Sequence, residues 1–214
     1  MDIPRQASVT AGLVTALEAT WQAIRVQHPD VPDVVLTIGS GTVGTAVGQV
    51  RLGHFADARW QRASESVPEL FIGGEGLREG ACAVLGTLLH EAAHGVASCR
   101  GVKDTSRQGR YHNRDYKALA VELGLTVEQV GAIGWSATAV PPETADRYAA
   151  ALAAIETALV AYRNPEPRGK GAQKNKNGVV VRCGCPRQFR VTWTVLDAGP
   201  IICGVCDSDF IEAE

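Results

Sequence analysis

No apolar run in this chain approaches the ~20 residues that a membrane-spanning helix needs. Net charge is also scarce, since 21 Lys and Arg nearly balance 23 Asp and Glu to leave a formal -2. No global field therefore draws in nucleic acid, and any such contact has to be local. The opening MDIPRQASVT carries an early Asp and Pro and no sustained apolar stretch. No secretory leader is expected, and the expected location is cytoplasmic. No internal repeat is visible. At 214 residues the chain suits one domain plus a small appendage, and such a length can bury roughly 70% of its unfolded surface.

Six cysteines are present, but not as a disulfide framework. Cys183, Cys185, Cys203 and Cys206 crowd into the last part of the chain as two close pairs, while Cys82 and Cys99 stand alone among apolar residues. Close pairs in a chain without a secretory leader read as metal ligands first.

Along the chain, Leu13, Leu17, Trp21 and Ile24 recur at helical spacing and predict an amphipathic helix over about 8–27, stopped by HPDVP. DVVLTIG then reads as a strand. GSGTVG follows and matches the dinucleotide fingerprint G-x-G-x-x-G. That fingerprint needs a helix to open at its last glycines. Here TAVGQVRLGHF follows instead and reads as a second strand, so the glycines are expected to turn between two strands. PELFIGG is a third strand. A long helix is expected from about Leu77 to Cys99, another from near Asn113 to Gly124, and a capped helix start at TVEQV, where Thr126 stands three before Gln129. PPETADRYAAALAAIETALVAYR reads as one more helix, opened by proline and acidic residues. NPEPRGKGAQKNKNG has no apolar periodicity and reads as a flexible basic linker. The fold class expected is α+β: a small antiparallel or mixed sheet packed on helices, followed by a small β module carrying the cysteine pairs. The expected division is a first domain over 1–162, a linker over 163–178 and a ribbon over 179–214.

The helix TLLHEAAHGVASC holds the main chemical signal. Residues four apart lie on one helical face, so His90 and His94 can reach one ion together. Their face also carries Ala83, Gly86, Thr87 and Ala97, small enough to leave room for a metal and a substrate. Cys82, Leu85, Leu89, Ala92, Val96 and Cys99 form the opposite stripe, expected to be core, with both thiols inert there. Glu91 completes H-E-x-x-H and stands where a carboxylate can take a proton from an activated water. Without partners, such a cluster in an aliphatic helix would cost several kcal/mol, which a zinc ion would offset.

A catalytic zinc takes three protein ligands and leaves one position open. Ala97 and Arg100 exclude the metzincin spacing, which needs glycine and histidine there. His28 and His54 precede the helix, in an exposed stop and a predicted strand. His112, after a loop long enough to return, is expected as the third ligand, with Glu122 as the alternative. Asp104 or Asp115 would be the residue to close the site if a fourth ligand existed. Arg110, Tyr111 and Arg114 are nearby candidates to hold the oxyanion of a transition state.

TLLHEAAHGVA followed at this distance by YHNRDYKALAVELGL resembles the SprT-like zinc metalloprotease family, over roughly Val34 to the C-terminus. The resemblance implies catalytic zinc on His90, His94 and His112, Glu91 as general base, Tyr116 as an aromatic four residues after the third histidine, and a C-terminal zinc ribbon. Asn113 stands where the family often has glycine, a mild change because asparagine tolerates left-handed backbone.

The cysteine spacing, C-x-C, seventeen residues, then C-x-x-C, predicts a closed four-thiolate structural zinc ribbon. Lys170, Lys174, Lys176, Arg182, Arg187 and Arg190 surround it, and Phe189 and Trp193 alternate nearby. Basic residues interleaved with aromatics suit single strands or phosphate backbones. The competing reading is a solvated linker beside a ribbon whose aromatics form its own small core. The resemblance tips the balance toward DNA. The expected function is zinc-dependent endopeptidase action on a protein substrate, with a non-catalytic DNA- or protein-binding module as the alternative.

Overall fold

The computed structural model describes residues 8–46, 48–166 and 178–213. The chain is α+β and divides into two compact units, Met1–Glu166 and Pro167–Glu214. Residues 163–166 thus belong to the first unit, although composition alone groups them with the linker. Their backbone is tied down there: the Arg163 N–H donates to the Gly74 carbonyl at 2.9 Å, and the Glu166 N–H to the Thr42 hydroxyl at 3.1 Å.

Helix α1 spans Val9–Gln27 and buries Leu13, Leu17, Trp21 and Ile24 as its spacing predicts. Strand β1 (Val35–Gly39) runs parallel to β3 (Glu65–Gly73), and β2 (Gly53–Arg62) runs antiparallel to β3, giving the order β1-β3-β2. The second strand therefore starts later than the apolar alternation implies. Residues 40–52 form a loop, pinched at its neck by the Arg51 N–H donating to the Gly41 carbonyl at 2.8 Å. No helix opens after these glycines, so the anion-binding geometry of a dinucleotide fold is absent among the described residues; Val47 lies outside them.

A 3₁₀ turn over Gly74–Glu79 leads into α2 (Ala81–Arg100), which Gly101 ends in the left-handed region at φ 64°. Two short strands follow, β4 (Thr105–Ser106) and β5 (Tyr111–His112), and then α3 (Arg114–Glu122). Asn113 caps α3, its side-chain oxygen accepting the N–H groups of Asp115 at 2.8 Å and Tyr116 at 3.0 Å. TVEQV, expected to open a helix, is instead strand β6 (Thr126–Val130), paired antiparallel with β7 (Gly134–Ala139). Its Thr126 hydroxyl donates across the ladder to the Ala139 carbonyl, and three of the five residues are β-branched. The second sheet has the order β4-β5-β7-β6. The last predicted helix is two, α4 (Pro142–Arg147) and α5 (Ala149–Ala158), broken at Tyr148, which turns 3% exposed into the core.

One core gathers these elements. Val84, Leu85, Leu88, Leu89, Ala92 and Val96 of α2 pack with Leu17, Trp21 and Ile24 of α1 and with Leu70 and Ile72 of β3. Cys82 and Cys99 are exposed, not core. The buried face at the two helix ends falls instead on Ala81 and on Ala97, the latter expected on the open face, so both thiols are turned out of the core. In the second unit β8 (Val179–Arg182) lies between β9 (Gln188–Val191) and β10 (Ile211–Glu212), all antiparallel, with a short helix α6 over Trp193–Asp197. Among the described residues no helix is long and apolar enough to cross a membrane.

Replacing Asn113 with alanine removes the acceptor for two otherwise unpaired N–H groups at the start of α3. Asn113→Ala should lower unfolding free energy by ~1 kcal/mol in a urea titration; an unchanged midpoint would show the cap to be idle.

Candidate metal centres

Helix α2 presents His90 and His94 one turn apart, and β5 delivers His112 against them, paired with Thr105 of β4 on one side and with Gly134 of β7 on the other. The three rings form one cluster. Their centroids lie 5.2 Å (His90–His94), 5.1 Å (His90–His112) and 5.1 Å (His94–His112) apart. One nitrogen from each lies within 4.8 Å of the others. His94 Nε2 and His112 Nε2 face each other at 3.2 Å. Two metal–nitrogen bonds of about 2.0–2.1 Å at a tetrahedral angle place their nitrogens about 3.3 Å apart, so this spacing fits a shared ion.

Two of the three outward nitrogens are held as well, that of His112 having no hydrogen-bond partner among the described residues. His94 Nδ1 lies 2.5 Å from Asp104 Oδ2, and His90 Nδ1 lies 3.3 Å from the Thr138 hydroxyl. Such partners fix the tautomer and leave the other nitrogen free for a cation. Tyr116, fully buried, packs its ring against all three imidazoles at 4.4–5.0 Å between centroids. Asp104 is thus a hydrogen-bond partner of His94, and the candidate metal-binding group at this point consists of the three histidines. Glu122, the alternative third ligand, is taken by Arg100, with bonds of 2.9 and 2.7 Å. Asp115 lies exposed at the start of α3.

Glu91 is 5% exposed, and its Oε2 accepts the Phe55 N–H at 2.8 Å. Strand β2 comes this close because residue 53 is glycine: a Cβ there would sit 2.6 Å from Glu91 Oε1. Burial pushes the Glu91 carboxyl up to about 7, against the opposing pull of His94, the Phe55 N–H and Arg51. Burial, then the charges of His94 and His112, hold His90 well below 6.5. His112 is lowered by burial and by His94. His94 alone of the three is raised: burial lowers it, but the bond to Asp104 and the charge of Glu91 outweigh that.

Two clefts of about 580 and about 730 Å³ meet at His90 and Glu91. Arg110 lines the first, as do His54 and Asp57. Tyr111 and Arg114 line neither. Tyr111 instead carries the Arg107 guanidinium 4.7 Å above its ring. Arg51 lines both clefts and escaped the sequence reading, because it falls in a stretch that reads as strand. Its only signal was the single cation between two glycine-rich turns.

In the second unit Cys183, Cys185, Cys203 and Cys206 form a second cluster within 4.8 Å. Cys183 and Cys185 sulfurs lie 3.1 Å apart and Cys185 and Cys203 3.8 Å apart, all four thiols being free. Bonds of about 2.3 Å to a tetrahedral zinc place sulfurs about 3.8 Å apart, against ~2.05 Å in a disulfide. The Ser208 hydroxyl, then its N–H, pulls Cys206 down to about 5, and the N–H groups of Val205 and Cys206 lower Cys203. Burial raises Cys183 to about 12. Arg182, Arg187 and Arg190 are exposed around this sheet. Phe189 packs on Phe210 at 4.7 Å and is 40% exposed, and Trp193 is 52% exposed. Lys170, Lys174 and Lys176 lie outside the described residues.

Comparison with protein-family models, with curated proteins and with solved structures found no match.

Two expectations follow. Asp104→Asn should weaken metal binding at the histidine cluster by roughly 10–100-fold in chelator competition, and an unchanged affinity would remove Asp104 from the site. Since His94 must shed a proton that Asp104 helps it hold, the ion should be lost progressively as pH falls from 8 to 5; pH-independent occupancy over that range would contradict the ring assignment.

Proposed function

We propose that the chain is a SprT-like zinc metalloendopeptidase. The observation that carries this reading is a buried carboxylate, Glu91, beside three imidazoles that converge on one point, with clefts on both sides. The match of TLLHEAAHGVA and YHNRDY to the motif residues of that family supports it. His90, His94 and His112 would hold a zinc ion, which would supply Lewis acidity to the scissile carbonyl and to a water. Glu91, held by the Phe55 N–H, takes the proton from the attacking water and passes it to the leaving amine. Its raised proton affinity suits both halves of that transfer. Asp104 orients His94, Thr138 steadies His90, and Tyr116 keeps the rings from turning.

The second unit is proposed to hold a structural zinc on its four cysteines, with all four positions closed. Its exposed Arg182, Arg187 and Arg190 beside Phe189 and Trp193 favour contact with single-stranded nucleic acid, which would direct the peptidase to DNA-associated proteins.

Glu91→Gln should retain metal at both sites and the same melting temperature while losing cleavage of an unstructured protein by at least roughly 10²-fold. Undiminished cleavage by that variant would defeat the mechanism. Metal analysis should give two zinc ions per chain and one in Cys203→Ser; a single ion in the intact chain would refute the second site.

A further inference from the structure

Glu75 is a buried acid that the chemistry above does not use. It is 4% exposed, in the 3₁₀ turn that follows β3. Its carboxylate accepts the Gly41 N–H at 2.7 Å, the Ser40 hydroxyl at 3.2 Å and the Thr42 hydroxyl at 3.1 Å, and Arg163 Nε lies 3.8 Å away. Burial alone would raise its proton affinity, but these donors overcome that and hold it below the ordinary carboxylate value. An anion therefore sits at the base of the loop over residues 40–52.

That base leaves the Arg51 peptide a single seat. Its N–H donates to the Gly41 carbonyl at 2.8 Å, and the next carbonyl, Leu52, accepts the Gly73 N–H at 2.8 Å. The Arg51 carbonyl oxygen is so close to two glycines that a Cβ would lie 2.3 Å from it at Gly41 and 2.1 Å from it at Gly73. Arg51 leaves this clamp along the wall that both clefts share with His90 and Glu91. Among the described residues its guanidinium has no carboxylate partner. An exposed cation without a carboxylate partner, carried on a clamped backbone at the junction of two clefts, is placed to meet a carbonyl oxygen of an extended peptide crossing it. The segment after α5 completes the clamp, since Arg163 reaches Glu75 and the Glu166 N–H shares the Thr42 hydroxyl with it.

We propose that Arg51 grips a backbone carbonyl of the bound peptide and that Glu75 is its positioning residue, an inference that rests on the peptidase reading. Glu75 reaches Arg51 through the Gly41 backbone, accepting its N–H while its carbonyl accepts the Arg51 N–H. Its removal should therefore matter no further once Arg51 is gone.

The test is a double-mutant cycle in the full-length zinc-loaded protein, with Arg51→Ala, Glu75→Gln and both together. Two readouts are needed: kcat and KM on an unstructured peptide, and the Kd of a peptide hydroxamate by calorimetry, which needs no turnover. Arg51→Ala should raise KM and the hydroxamate Kd by roughly ten- to a hundredfold, with kcat and zinc content little changed. Glu75→Gln should move the same two quantities in the same direction, and the double variant should be no weaker than Arg51→Ala. Additive losses, or a Kd that ignores Arg51, would overturn the proposal. Should Glu75→Gln fail to fold, Thr42→Val, which keeps the shape and removes one donor to Glu75, completes the same cycle. Hydroxamate binding that depends on Arg51 in a protein that cuts no peptide would defeat the peptidase reading and keep the clamp. Cleavage indifferent to Arg51 would do the reverse.

Discussion

Glu91 and three half-buried imidazoles stand together against one helix, and the partners that three of these four groups find organise the first unit. An acid or imidazole withdrawn from water without a partner costs several kcal/mol. Glu91, His94 and His90 each recruit an element of the fold. Strand β2 brings the Phe55 N–H to Glu91, the chain after α2 brings Asp104 to His94, and β7 brings Thr138 to His90. Helix α3 supplies Tyr116 beneath all three rings. Both sheets and the helices between them thus converge on one point because polar groups there need them. The apolar core behind α2 supplies the energy that holds them together.

The parts of this arrangement legible in the sequence are those set by local periodicity. The four-residue spacing of His90 and His94 and the alternation of Leu85, Leu89, Ala92 and Val96 fixed the two faces of α2 in advance. Asn113 announced the start of α3, and its position made His112 the natural return to the cluster. The signal failed where long-range contacts decide. TVEQV satisfies a capping pattern, yet its partner across the ladder lies in β7, and only the pairing makes it a strand. Cys82 and Cys99 continue the apolar stripe in sequence, but the buried face there falls on Ala81 and Ala97. The stretch before Gly53 alternates like a strand, yet its backbone is pinned to Gly41 and Gly73 instead. Arg51 was hidden by that misassignment. Asp104 was considered as a ligand, and its actual place behind His94 depends on a loop conformation that spacing does not encode.

The second unit follows a different logic. Its buried side chains are few, chiefly Val181, Cys183 and Cys203. Two of those three are sulfur donors, so the same atoms serve as core and as ligand set. A sheet of three short strands with so little apolar volume has small intrinsic stability. The backbone N–H groups aimed at Cys203 and the Ser208 hydroxyl beside Cys206 favour thiolates, the form a cation requires.

This contrast bears on how ions bound at the two candidate sites would exchange. The imidazoles are lodged against the fully buried ring of Tyr116, beside an apolar core built from other residues. Replacing one divalent ion by another there would be a local event, and a spectroscopically active substitute such as cobalt would leave the scaffold in place. Among the cysteines an ion would itself form much of the scaffold, so swapping it would mean dismantling and rebuilding the module.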